Sequence, residues 1–207
     1  MPGRKRKTAE ELLAELAADG EFQKRQAAAE KKQKREAKAL SAAEAPLVRA
    51  LRAAGSKVDS VWDLVNVPET PLPLVHVLLI HLDRQYPEKI LEGIARALAV
   101  KHARVGWQKL MERFLAEPNT NKESGFTNQF KWALHLALAN AADASVVDDL
   151  IRLAVDRRLG EHRTQFVEAL VRIGGPEAHA ALEELKEDPQ LADSYKRIDK
   201  RLKRRKS

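Results

Sequence analysis

Residues 163–178, Arg163-Thr164-Gln165-Phe166-Val167-Glu168-Ala169-Leu170-Val171-Arg172-Ile173-Gly174-Gly175-Pro176-Glu177-Ala178, decide the fold class. Phe166, Val167, Leu170, Val171 and Ile173 recur at helical spacing. Gly174-Gly175 stops that helix, and Pro176 suits the first turn of the next. Ala178, Leu182 and Leu185 continue on one face. The stretch therefore predicts two helices joined by a tight turn.

The same pattern recurs outward in both directions. An Ala-Leu pair ends a helix at Ala97-Leu98, Ala137-Leu138 and Ala169-Leu170, with a further leucine 12 residues on at Leu110, Leu150 and Leu182. The spacings between these pairs are 40 and 32 residues, in the range of helical-hairpin repeats. Ile90, Ile94 and Leu98 predict one helix, and Trp107, Leu110, Met111, Phe114 and Leu115 the next. Phe130, Leu134 and Leu138 predict another, followed by Leu150, Ile151, Ala154 and Val155. Towards the N-terminus, Leu74, Val75, Leu78, Leu79 and Leu82 keep helical period behind Pro68, Pro71 and Pro73. No segment sustains the alternation of a strand. The fold class is all-α.

Arg163, Ala169-Leu170, Gly174 to Ala178, Leu182 and Leu185, and Asp188-Pro189 together resemble a HEAT repeat of the bacterial, lyase-associated type. The match is best over about residues 156–190. The resemblance implies a right-handed α-solenoid of stacked helical hairpins, an armadillo-like scaffold with a concave face for a protein partner. It implies no particular chemistry. One hairpin alone cannot bury its apolar face, whereas stacked neighbours can.

The chain has 207 residues, 44% of them hydrophobic, and no Cys. Disulfides and thiolate metal sites are thereby excluded. The net charge of +7 is concentrated at the ends. Residues 1–45 carry 11 Lys/Arg against 8 Asp/Glu, and residues 190–207 carry 8 against 2. The expected organisation is a disordered basic arm (1–7), a charged helical extension (8–45), the solenoid (46–190) and a basic C-terminal helix and tail (191–207). Thr8 to Glu11 form a capping box for a first helix carrying Leu12, Leu13 and Leu16, with a stop or kink at Asp19-Gly20. No apolar stretch follows the basic start and none reaches membrane-spanning length. No secretory leader and no membrane partner are therefore expected, and the location is cytoplasmic, or nuclear in a eukaryote.

The sequence offers no phosphate loop, no His-Glu-x-x-His and no nucleophile signature. The chain is expected not to be an enzyme and to hold no metal or cofactor. Its six histidines are expected on the surface or rim. Arg104, Trp107, Lys109 and Trp132 are the candidates for contact with a protein partner, although Trp107 also fits the apolar stripe of its helix. The alternative partner is nucleic acid, bound through the basic ends and a basic inner face. Lys31, Lys32, Lys34, Arg35, Lys196, Arg197, Lys200, Arg201, Lys203, Arg204 and Arg205 are its candidate phosphate contacts. No aromatic residues are interleaved with them, so stacking on bases is not indicated. Residues 117–129 form a polar loop, functional or disordered.

Overall fold

The computed structural model describes residues 8, 19–65, 67–120, 127–193 and 195–198. The basic arm, most of the Thr8–Glu11 box with Leu12, Leu13 and Leu16, the tip of the 117–129 loop, and Lys200, Arg201, Lys203, Arg204 and Arg205 lie outside them. Among the described residues the protein is all-α, and the only pairing of extended backbone is an isolated bridge between Thr120 and Thr127. None of the described helices is long and apolar enough to cross a membrane. The chain divides into two compact units, residues 1–43 and 44–207.

The first of the described helices, α1, runs Gly20–Ala53. Asp19 starts it. Its Oδ1 accepts the amides of Glu21 (2.9 Å) and Phe22 (3.2 Å), the role of an N-cap carboxylate. The helix also continues through Pro46, the first residue of the expected solenoid. An interior proline costs about 3 kcal/mol through its missing N–H and ring clash. Leu47, Val48 and Leu51, all buried, give the following turns a docked face that offsets this cost.

In the second unit, Glu44 is buried and holds the next turn in place. Its carboxylate accepts the amide of Val61 at 2.6 Å and the hydroxyl of Ser60 at 2.9 Å. Ser60 and Asp63 form a capping box around the 3-10 turn Val61–Leu64. The helices that follow are α2 (Leu72–His81), α3 (Glu88–Ala97), α4 (Trp107–Ala116), α5 (Gln129–Ala141), α6 (Val147–Val155), α7 (Arg163–Ile173) and α8 (Pro176–Leu185). Short 3-10 turns at Lys101–Gly106, Ala144–Val146 and Arg157–His162 lead into α4, α6 and α7. Gly174 (φ 70°) and Gly175 (φ 89°) make the α7–α8 turn in a conformation that L side chains rarely adopt.

Packing follows alternation along the chain. Helix α3 lies against α5, and α5 against α7; α6 packs on α8. Between these sets, α4 packs on α5, while α6 and α8 both pack on α7. Each of the recurring positions is buried: Ala97 and Leu98, Ala137 and Leu138, Ala169 and Leu170, and Leu110, Leu150 and Leu182. The small alanine lets a neighbouring helix approach, and the adjacent leucine fills the space beside it.

Gly93 lies inside α3, where glycine costs about 1 kcal/mol relative to alanine. The reason is the turn pressed against it. A Cβ on residue 93 would stand 2.6 Å from Val61 Cγ1 and 3.1 Å from Trp62 Nε1. Val61 is fully buried and β-branched, so it has little freedom to yield. Gly93→Ala should therefore destabilise the protein by about 1–3 kcal/mol in urea unfolding, despite its better helix propensity. Adding Val61→Ala should cost less in that background than in the wild type. Strict additivity of the two changes would show that the contact does not govern the position.

Candidate functional site

A groove crosses the C-terminal ends of α3, α5 and α7. One part, of 420 Å³, lies between Glu69, Ala99, Lys101, Asn140 and Arg172. A second, of 310 Å³, adjoins it through the same Lys101 and Arg172 and extends past Ala142 and Asp143 to Ile173. Its position follows from local chemistry. Each of these helices ends in a short turn, and the last carbonyls of a helix need donors. Arg172 supplies them for α5, donating to the carbonyls of Ala139 (2.6 Å) and Ala142 (3.1 Å). A cation there also complements the negative end of the helix dipole.

The groove's other polar groups are mostly engaged. Asn140 donates to Leu136 O at 3.0 Å, and Glu69 lies 3.4 Å from His102 Nε2. Asp143 accepts from the Ser145 hydroxyl at 2.5 Å and from Arg104 at 3.3 Å. The Ser145 hydrogen bond foremost, with Arg104 beside it, holds the Asp143 carboxyl below the usual carboxylate range. Lys101 is exposed and makes no ion pair or side-chain hydrogen bond with the described residues. It leaves a free positive charge between two partly apolar hollows.

The four candidate protein-contact residues do not gather at this groove or at any other single place. Trp107 is buried, with only 4% of its surface exposed, and its Nε1 donates to Asp149 Oδ2 at 2.8 Å. Arg104 reaches the same way along the chain, donating to Ser145 Oγ at 2.6 Å. Lys109 reaches back instead, to Asp83 (2.6 Å) and the carbonyl of Leu79 (3.2 Å). Trp132 is half-buried, with its ring 4.5 Å from that of His135 and 5.5 Å from that of His162. Arg104, Trp107 and Lys109 thus clasp neighbouring segments of the same chain. Of the nucleic-acid candidates, Lys31, Lys32, Lys34 and Arg35 are exposed on α1, and Lys196 and Arg197 are exposed near the end of the described chain.

Three of the six histidines depart from expectation, whereas His76 and His179 are exposed and His102 is half-buried. His81, His135 and His162 are all buried. His135, on α5, and His162, just ahead of α7, face each other with Nδ1 atoms 3.2 Å apart, one donating and the other accepting. Phe114, Trp132 and Phe166 surround them. Burial pushes the pKa of His135 down to about 3, with the neighbouring His162 adding to the effect. Burial and then the charge of Lys131 push His162 down to about 4. His135 Nε2 has no hydrogen-bond partner among the described residues. Lys131, itself buried, donates to Glu117 O at 2.6 Å, and burial lowers its pKa too. Among the described residues, no group of three or more His, Cys, Asp or Glu could hold a metal ion.

A second buried cluster follows α7. Arg163 is fully buried and donates to Ala154 O (2.6 Å), Asp188 Oδ2 (2.8 Å) and Gln190 Oε1 (3.2 Å). Asp188 in turn caps the turn Pro189–Leu191 through the amide of Gln190. Two residues singled out in the sequence for their place in a repeat, Arg163 and Asp188, are therefore joined in space.

In comparisons with known proteins, no family model matches the chain, and no curated protein or solved structure matches it either.

The histidine pair has a consequence for stability. Both folded pKa values lie below the ordinary 6.5, so the unfolded chain takes up protons first as pH falls. Their contribution to stability is present above about pH 6.5 and is lost progressively as pH falls towards the folded values of about 4 and about 3. The loss between pH 7 and 5 should be on the order of 1–2 kcal/mol per histidine. Urea unfolding at the two pH values measures it. The double variant His135→Phe, His162→Gln should show a shallower dependence, whatever its stability at pH 7. An unchanged dependence would place the proton uptake elsewhere.

Proposed function

We propose that this chain is a non-catalytic scaffold, a right-handed α-solenoid of stacked HEAT-like hairpins. On this reading it binds a protein partner, and the groove over the ends of α3, α5 and α7 receives an extended segment of that partner. The observation that carries the reading is the groove's course across three successive alternate helices, with Lys101 as its free charge. A surface formed by equivalent ends of consecutive units is suited to an extended ligand rather than a compact one. Its alanine-rich floor can take small apolar side chains, and Lys101 can pair with a carboxylate. The alternate packing of helices and the burial of Ala-Leu at each recurrence support the stacked arrangement. The roles of Arg104, Trp107 and Lys109 then shift from partner contact to fastening adjacent units.

A photo-crosslinking side chain in place of Asn140, compared with one in place of exposed Val155, tests this. A partner that crosslinks selectively at 140 should then be purified and titrated against Lys101→Glu. At least a tenfold loss of affinity is expected, about 1.4 kcal/mol. Equal crosslinking at both positions, or an affinity untouched by Lys101→Glu, would remove the groove as the binding surface.

A further inference from the structure

Residues 20–43 of α1 belong to the first compact unit and carry Lys24, Arg25, Lys31, Lys32, Lys34, Arg35 and Lys38. At about 100° per residue, all seven fall within about 180° of the helix circumference. The opposite side carries Phe22, Gln26, Ala29, Gln33, Ala37 and Leu40. The same stretch has only three acidic residues, Glu21, Glu30 and Glu36. Glu30 and Glu36 lie outside the basic arc. Glu21 lies within it, in the first turn, where it suits the helix dipole and pairs with Lys24 at 3.2 Å. Lys32 approaches Glu36 at 3.9 Å, and Arg25 donates to Glu21 O at 3.3 Å. Lys31, Lys34, Arg35 and Lys38 are exposed and have no ion pair or side-chain hydrogen bond among the described residues.

A one-sided array of this kind is not required for solubility, which a mixed distribution serves as well. It concentrates like charges on one side at a mutual repulsive cost, and that cost is relieved when an anionic surface covers them. Residues 20–43 rise about 36 Å along the helix axis at about 1.5 Å each. A duplex carries one phosphate charge per about 1.7 Å of its axis, both strands counted. A helix about 10–12 Å across fits the B-form major groove, about 12 Å wide. A basic arc of about half a turn can then meet both flanking strands. The A-form major groove is too narrow to admit it. The absence of aromatic residues among the cations argues against single strands, which are held largely by stacking.

We propose that the basic side of α1, residues 24–38, is a docking surface for double-stranded DNA, held through phosphates without base readout. The inference is independent of the groove in the second unit, and either can fail without the other.

The test uses the full chain and a fluorescent 30-base-pair DNA duplex, with anisotropy followed from 50 to 200 mM salt. The wild type should bind with a steep salt dependence. Lys31→Gln, Lys34→Gln, Arg35→Gln and Lys38→Gln together keep strong helix formers in place. They should lower the slope of log K against log salt by about 3–4, at about 0.9 per phosphate contact. A control with the same charge change in the second unit, Lys57→Gln, Arg84→Gln, Arg152→Gln and Lys186→Gln, should keep the wild-type slope. Equal losses in both variants would reduce the effect to net charge and overturn the proposal. So would no binding by the wild type at 50 mM salt, tighter binding of a duplex RNA of the same length, or binding to vesicles of anionic lipid but not to DNA.

Discussion

A guanidinium that never reaches water governs the C-terminal part of the fold. Arg163 opens α7 yet is fully buried, and removing its hydration is expensive unless every donor finds a partner. The partners come from three separate places: the end of α6 at Ala154, the turn after α8 at Asp188, and Gln190 beyond it. Satisfying one charge thus fixes the relation of three consecutive helices. The Asp188 carboxylate is stabilised in its charged form first by the Arg163 hydrogen bond and held below the usual carboxylate range. Asp188 also pairs with Arg157 at 3.2 Å, so it is removal of Asp188 that would leave an uncompensated buried charge, on Arg163, a loss of about 3–5 kcal/mol for pairs of this kind. The pair therefore acts mainly to specify one arrangement, since an apolar replacement of equal volume could match it in stability.

The same logic recurs with weaker bonds along the chain. Arg172 ends α5, Lys109 reaches back to the end of α2, and Arg104 and Trp107 reach forward to the start of α6. Each joins segments one helix apart in the chain, α7 to α5, α4 to α2 and the start of α4 to the start of α6. The histidine pair does this from within, joining α5 to the turn that leads into α7 by one hydrogen bond between neutral rings. Linkages of this sort make each helix pair dependent on the next, so a groove crossing several of them keeps its register only while the whole row is folded.

Much of the secondary structure was legible because apolar spacing, proline and glycine agree with one another. Phe166 to Ile173 and the Gly174-Gly175-Pro176 turn are examples, and the recurring Ala-Leu pairs marked buried positions each time. What periodicity could not convey was direction. Arg104 and Lys109 looked like solvent-facing cations, but their partners, Ser145 and Asp83, lie 41 and 26 residues away in sequence. His135 follows Leu134 in a stretch that is buried on nearly all sides, from Ala133 to Ala139. An amphipathic stripe assigns only one face to the core, so a second buried face was missed. The run of α1 through Pro46 is hidden from the sequence for a similar reason. Proline predicts a boundary from local cost alone, while Leu47, Val48 and Leu51 supply the compensation through contacts formed only in the folded unit.

The two surfaces of interest differ in the physics that would sustain them. The groove is made of helix ends whose charges are largely neutralised within the protein, leaving Lys101 exposed; recognition there would depend on shape and a few directed bonds. The basic side of α1 has almost the opposite character. Residues 20–43 lack an apolar stripe, so this part of the helix rests on intrinsic propensity, an N-cap and scattered i,i+4 pairs, each worth only tenths to about 1 kcal/mol. An anionic partner would add stability to the helix while drawing affinity from it, because the repulsion among Lys31, Lys34, Arg35 and Lys38 falls when counter-charge arrives. Salt would weaken that association steeply and the groove's, which would rest on a single exposed charge, much less. Ionic strength is therefore the variable that separates the two surfaces within one intact chain.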